Sequence, residues 1–412
     1  MAAGVVIAGA GQAGFQVAFS LRSRGYGGPI TLIGDEPHVP YQRPPLSKGF
    51  LAGKQEVRHL HLRPSPYYAT QKIDFVSGET VTGIDRASRR IQLSSGSTVP
   101  YETLVLALGA RVRLLPIPGA QFDGVCYLRS LDDAIGVRSR LQSAANVVVV
   151  GGGFIGLELA AVARAAGKRV TVVEVQSRLM PRVVSPVISE YYARLHADQG
   201  VEIKLDTGPS EIAASNGKTS GVVLKDTTEI PADLVVAGIG VLPNMALAEN
   251  AGLETGNGII VDSHLRTSDP CIYAIGDCAS HPDPFTGSRV RIESVQNAVD
   301  QAACVAAAIC GEPKPYDEVP WFWTDQFDVK LQMAGLSAGY DHATTRGDPA
   351  NRKFSVFYFR NGRLIAVDSI NRPADHIAAR KLLARRTPLT PLQAADESVD
   401  LKSLAERPEA LR

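Results

Sequence analysis

Two sets of residues in this chain have the types and spacing to hold a pyrophosphate beside a sugar. The first is Gly9-x-Gly11-x-x-Gly14, followed by Asp35, 21 residues past the last glycine; the second is Gly151-x-Gly153-x-x-Gly156, followed by Glu174, 18 residues past it. In such a fingerprint the first glycine permits a tight turn, the second lets the backbone approach the pyrophosphate, and the third lets a helix lie close to a sheet. The free N–H groups at the helix start then meet the phosphate charge. Asp35 and Glu174 suit the acid that accepts hydrogen bonds from a ribose, and a carboxylate at Glu174 repels a 2′-phosphate, which favours NADH over NADPH. Arg178, four residues on, is open to two readings: a phosphate partner or a solvated arginine. One fingerprint alone is a weak signal, but two with the same surroundings are a strong one.

The surroundings are the elements that must position these residues. Apolar runs at 5–8 and 147–150 precede the fingerprints, alanine-rich stretches with helical periodicity follow at 13–24 and 155–166, and second apolar runs occupy 30–33 and 170–173. Later runs at 104–109 and 234–240 end in small residues and close each copy. Strand, helix and strand in alternation give parallel sheets. Pro116, Pro118 and the pair Pro243-Asn244 mark linkers. Beyond Trp321 the pattern changes to strands at 354–359 and 364–368 and an amphipathic helix at 376–386, with no third fingerprint. The expected fold class is α/β, with two Rossmann-like dinucleotide-binding domains and a C-terminal α+β domain. The expected division is 1–112 with 245–321, then 113–244, then 322–412.

Composition narrows the functions. With 412 residues, 45% hydrophobic and 21% charged, the chain reads as globular and multidomain. Its 43 Lys and Arg nearly cancel 42 Asp and Glu, so no global field draws nucleic acid or an anionic membrane. No apolar run approaches the ~20 residues of a membrane span, and the start has no basic leader, so the expected location is cytoplasmic. The five cysteines, at 126, 271, 278, 304 and 310, have no CxxC spacing, which argues against a redox dithiol, a disulfide framework and a metal site.

Further motifs, read together with both fingerprints, carry a family resemblance. Arg43-Pro44-Pro45-Leu46-Ser47-Lys48, Tyr273-Ala274-Ile275-Gly276-Asp277, Glu293-Ser294-Val295-Gln296-Asn297-Ala298 and Trp321-Phe322-Trp323 stand at intervals along the chain. With them the sequence resembles, over nearly its whole length, the FAD-dependent pyridine nucleotide-disulfide oxidoreductases. Within these it is similar to the ferredoxin reductases of bacterial P450 and ring-hydroxylating dioxygenase systems. The resemblance implies a glutathione-reductase-like architecture with FAD in the first nucleotide domain and NADH in the inserted one. It implies FAD contacts at Gly9, Gly11, Ala13, Gly14, Asp35, Arg43, Lys48, Val81, Ala107, Arg129, Asp277 and Val295. NAD contacts fall at Gly151, Gly153, Ile155, Gly156, Glu174, Gly238 and Gly240.

The resemblance also implies roles. Lys48 and Glu158 form an ion pair beside the flavin N5, Trp323 lies near the nicotinamide and the flavin, and a helix capped by Ser294 points its N-terminus at the flavin. The bland alternatives are a surface lysine after a Pro-Pro turn, a turn aspartate at Asp277 and core tryptophans. Electrons then pass to a [2Fe–2S] ferredoxin docked at Arg63, Arg380, Lys381 and Lys402, or these basic residues are simply solvated; the helix from Ala298 offers no Lys or Arg before Lys314. Other readings stay open. A dithiol oxidoreductase or NADH peroxidase needs a cysteine within 41–48, where none stands, and a quinone reductase needs an interfacial anchor, for which 376–386 is the candidate. A redox-sensing flavoprotein of the apoptosis-inducing-factor type is told apart by its lack of turnover with a carrier.

Overall fold

The apolar runs that precede each fingerprint become the central strands of two parallel sheets, because a strand flanked by helices on both faces is buried throughout. The computed structural model describes residues 3–406. Among these, two units divide the chain: residues 3–42, 57–111 and 242–320, and residues 43–56, 112–241 and 321–406.

In the first unit five parallel strands stand in the order Ile272–Ala274, Thr103–Leu106, Val5–Ala8, Ile30–Gly34, Ile73–Ser77. The helix Gln12–Ser23 follows the first of these in sequence, and the helix Val295–Ile309 packs against it. Val5, Val6, Ile7 and Ala8 are all buried, as are Ile30, Leu32 and Ile33. A three-stranded antiparallel sheet, Val81–Asp85, Arg90–Leu93 and Thr98–Pro100, belongs to the same unit.

In the second unit the parallel order is Glu202–Lys204, Arg169–Val173, Asn146–Val150, Leu234–Ala237, Val125–Tyr127. Here too the fingerprint opens a helix, Phe154–Ala165. The same unit holds a five-stranded antiparallel sheet in the order Trp321–Gln326, Val329–Gly335, Arg363–Ile370, Lys353–Arg360, His342–Asp348. The helix Pro373–Ala384 covers it, two residues short of the C-terminal end expected at 386.

The two parallel sheets match bond for bond. Gly9 N–H donates to Ile33 O and Gly151 N–H to Val173 O, both at 2.8 Å; Ala107 N–H donates to Ala8 O and Gly238 N–H to Val150 O, again at 2.8 Å. The internal repeat is therefore a repeat of backbone geometry. One segment departs from the expected division: residues 43–56, placed by sequence in the first domain, pack with the second unit. The cause is chemical. Within that segment Ser47 and Lys48 bond to Glu158, and Arg43 Nη1 donates to the carbonyl of Arg129 at 2.7 Å. Among the described residues no helix is long and apolar enough to cross a membrane.

Candidate functional site

The first cradle is shaped by what its glycines cannot carry. Gly9 has φ +108°, and a Cβ there would stand 2.2 Å from Ala107 O; a Cβ on Gly14 would stand 1.8 Å from Gly9 O. A side chain at either place would pry the turn apart. Gly11 is different: a Cβ would meet nothing within 4 Å, so this face of the turn is open. The helix begins there with no side-chain cap, whereas Ser130 and Ser294 cap the helices Leu131–Ser143 and Val295–Ile309 by accepting the N–H groups of Asp133 and Asn297. First-turn N–H groups without a cap beside an open glycine fit a pyrophosphate. Asp35 lies exposed just past the strand Ile30–Gly34 and accepts no protein hydrogen bond among the described residues.

The first unit also holds several other expected residues. Ala13 is buried, and a Cβ on Gly276 would come within 3.2 Å of its methyl, which places the Gly276–Cys278 turn and Asp277 against the cradle helix. Ala107 forms the floor under Gly9, and Val295 opens the capped helix. Val81 starts the antiparallel sheet. Sequence reasoning missed Gln301, fully buried, whose Oε1 accepts Gly276 N–H at 2.7 Å and ties the helix Val295–Ile309 to the Asp277 turn. A glutamine two turns beyond a serine cap gives little signal by itself.

The second cradle repeats the plan. Gly151 has φ +109° and would place a Cβ 2.5 Å from Gly238 O; a Cβ on Gly156 would lie 2.2 Å from Gly151 O; Gly153 opens an uncapped helix with empty space beside it. Gly238 thus floors the turn, Gly240 follows with φ +98°, and Ile155 is 41% exposed on the open side. These residues fit a second dinucleotide. Glu174 is buried, its Oε2 accepting Gly152 N–H at 2.7 Å and its Oε1 accepting Gln176 N–H at 2.9 Å. Arg178 spends its guanidinium on the carbonyls of Val184 and Pro181, at 2.8 and 2.6 Å, which settles it as a loop brace.

Also in the second unit, Lys48 Nζ lies 2.7 Å from Glu158 Oε2, with the glutamate side chain 3% exposed and the lysine 20%. Glu158 is the one acid in the helix Phe154–Ala165, among buried Leu157, Leu159, Ala160 and Ala161. Ser47 Oγ donates to the same oxygen at 2.5 Å, and Thr324 Oγ1 donates to Oε1 at 2.6 Å. A buried carboxylate is tolerated when paired and bonded in this way. Ser47 and Thr324 were not foreseen, although Ser47 stands inside the Arg43–Lys48 motif and Thr324 is next to Trp323. Trp323 itself is half-buried, its ring centroid 5.6 Å from Trp321 and 6.3 Å from Phe322.

Of the expected docking residues, Arg380 lies over the Trp321 ring at 4.8 Å, Lys381 pairs with Glu406 at 3.2 Å, and Lys402 is exposed. All three belong to the second unit. Arg63, in the first, rests over Phe19 and Tyr67 at 5.4 and 5.7 Å. The five cysteines are free thiols; burial pushes Cys278 and Cys304 up to about 11 and raises Cys126, away from thiolate chemistry. No group of three or more His, Cys, Asp or Glu side chains is placed to hold a metal among the described residues.

Two matching cradles followed by a separate antiparallel sheet define a class. The description "Pyridine nucleotide-disulphide oxidoreductase" matches residues 3–302 and "Reductase C-terminal" matches 321–405. The chain belongs to the pyridine nucleotide-disulphide oxidoreductase family, as an FAD-dependent oxidoreductase that uses a pyridine nucleotide. Within that class it is similar to the ferredoxin reductases. Rhodocoxin reductase of Rhodococcus erythropolis is 51% identical over 398 residues, covering 97% of this chain and 93% of the relative. The crystal structure of the ferredoxin reductase for the CYP199A2 system from Rhodopseudomonas palustris superimposes with a TM-score of 0.96 at 50% identity, over 98% of this chain and 100% of that one. The covalent putidaredoxin reductase–putidaredoxin complex gives 0.95 at 43% identity, over 98% of each.

Proposed function

We propose that this chain is an NADH-dependent ferredoxin reductase that passes electrons singly to a [2Fe–2S] ferredoxin serving a P450 or ring-hydroxylating oxygenase in the cytoplasm. The observation that carries it is the pair of open, uncapped glycine cradles in one chain, the second edged by a bonded carboxylate. The names of the similar reductases, and the partner in the solved complex, support the choice of a ferredoxin as acceptor. When bound, FAD supplies a hydride acceptor that can release its two electrons one at a time.

The chain's own residues do the holding. Gly9, Gly11 and Gly14 with Ala13, Ala107, Val81, Asp277 and Val295 would bind FAD, and Asp35 would grip its ribose. Gly151, Gly153, Gly156, Ile155, Gly238 and Gly240 would bind NADH. Glu174, fixed by two backbone N–H groups, would accept the free ribose hydroxyls and repel a 2′-phosphate. We assign Lys48 and Glu158, with Arg43, Arg129 and Trp323, to the flavin ring. There the paired ammonium favours added negative charge, and positioning supplies most of the acceleration. An acidic ferredoxin suits Arg63, Arg380, Lys381 and Lys402.

The test is an anaerobic titration of the purified yellow protein with NADH, followed by addition of an oxidised [2Fe–2S] ferredoxin. We expect bleaching at one equivalent of NADH and return of the yellow colour as the ferredoxin is reduced. Bleaching by NADPH alone, or a bleached protein that no ferredoxin reoxidises, overturns the assignment. Glu174→Ala should weaken NADH binding about tenfold and narrow the preference over NADPH, measured as the ratio of the two dissociation constants. An unchanged ratio removes the specificity argument.

A further inference from the structure

The bonds around Glu158 do not stop at Thr324. Thr324 Oγ1 accepts from Gln326 Nε2 at 3.3 Å, and Gln326 Oε1 lies 2.8 Å from His196 Nε2. All three side chains are fully buried, and all belong to the second unit. Thr324 and Gln326 share one face of the strand Trp321–Gln326, because strand side chains alternate. His196 projects from the helix Pro186–Asp198.

The chain of bonds has a direction, which the donor inventory fixes. A carboxylate only accepts, so the single hydroxyl proton of Thr324 is spent on Glu158 and its oxygen is left to accept. The partner must then be the amide NH₂ of Gln326, which turns the amide oxygen toward His196 and requires Nε2 to carry the imidazole proton. That tautomer leaves Nδ1 bare, and Nδ1 is buried with no partner among the described residues. Burial lowers the pKa of His196, and the Gln326 bond only partly offsets it, in keeping with a neutral ring. Every hydrogen therefore points the same way, from His196 through Gln326 and Thr324 to Glu158.

Resting on the assignment of Lys48 and Glu158 to the flavin, we propose that Thr324, oriented by Gln326 and His196, is a positioning residue that presents the Glu158 carboxylate to Lys48. Thr324 holds Oε1, so the carboxylate can turn Oε2 to Ser47 and Lys48, and the rotamer of Glu158 is fixed from both sides. The antiparallel sheet thereby sets the place of the ammonium. Without the Thr324 hydroxyl the carboxylate has one buried oxygen unbonded and is held from the Oε2 side alone, so Lys48 has a less firmly placed partner.

The experiment compares the holoenzyme with Thr324→Val, Thr324→Ser, Lys48→Met and the Lys48→Met/Thr324→Val double variant. It reads the flavin midpoint potential and the stopped-flow rate of flavin reduction by NADH. Thr324→Val should lower the potential and slow reduction about tenfold, the loss expected for one bond to a buried charged group, and Thr324→Ser should restore both. In the Lys48→Met background the same Val substitution should change neither. Gln326→Leu cuts the chain one bond further away and should act in the same direction, which keeps the inference testable if Thr324→Val fails to fold. Wild-type potential and rate in Thr324→Val beside a slow Lys48→Met overturn this inference alone, as does an equal Val effect with and without Lys48. A Lys48→Met enzyme reduced at the wild-type rate overturns the role of the pair, and this inference with it.

Discussion

The two cradles share their backbone bonds yet use different residues to grip a sugar, and strand register explains why. Ala8 pairs with Ile33, and Val150 pairs with Val173. Counted from those pairs, Glu174 is the first residue beyond its strand pairing and Asp35 is the second. Successive side chains point to opposite faces, so the two acids are not equivalent positions. Gly34 stands where Glu174 does, and Val175, 56% exposed, stands where Asp35 does. The neighbours are exchanged to match. A Cβ on Gly34 would come 2.6 Å from the methyl of Ala10, and a Cβ on Gly152 would come 3.3 Å from Cβ and Cγ of Glu174. In one cradle the turn carries the methyl and the strand end is bare; in the other the turn is bare and the strand end carries the acid. One acid is held before a ligand arrives, and the other waits in solvent.

The comparison breaks most visibly at the third glycine of each fingerprint. Gly14→Ala and Gly156→Ala force a methyl against a carbonyl at 1.8 and 2.2 Å, and each should cost on the order of 3 kcal/mol of local stability. Gly14→Ala should yield colourless protein, whereas Gly156→Ala should stay yellow but fail to bleach with NADH; absorbance at the flavin band separates them. If both variants lose colour, the cradles do not bind separate cofactors.

A smaller effect sharpens the exchange of neighbours. Gly152→Ala brings a methyl within 2.7 Å of Leu179 Cδ2 and against Glu174, so it should raise the dissociation constant for NADH about tenfold while leaving FAD content unchanged. Ala10→Gly, the converse change, should alter FAD retention less than Gly152→Ala alters NADH binding. The smallest structural effect belongs to Asp35. Because it bonds to nothing in the protein among the described residues, Asp35→Ala should leave the melting temperature of flavin-free protein within about 1 °C, while flavin is released more readily on dilution. A large drop in melting temperature would mean that Asp35 serves the fold.

Much of this was legible in the sequence because it is periodic. Both cradles, their helices within a residue or two and the closing strands follow from apolar spacing and glycine offsets. The acids were legible as acids, but not as differently placed, because counting from the glycines hides the register on which side-chain direction depends. The Lys48–Glu158 pair came through resemblance rather than spacing, since the two residues are 110 positions apart. Thr324, Gln326 and His196 were out of reach for a related reason. A buried hydrogen-bond chain joins residues by geometry alone, and its one sequence trace is the polar end, Thr324-Asp325-Gln326, of a strand that opens on three aromatic residues. Residues 43–56 follow the first domain in chain order, yet group by contact with the second unit.

That last segment bears on how the molecule comes into being. As the ribosome delivers the chain, the first parallel sheet lacks its edge strand Ile272–Ala274 until well after residue 241 has emerged. The second sheet, running from Val125–Tyr127 to Leu234–Ala237, is complete by then. The stretch that carries Lys48 is synthesised early but finds Glu158 only when the inserted unit appears, and Thr324 arrives later still. The order of folding can therefore differ from the order of synthesis: the parallel sheet begun second can close first, and Glu158, the partner of Lys48, gains its Thr324 bond last.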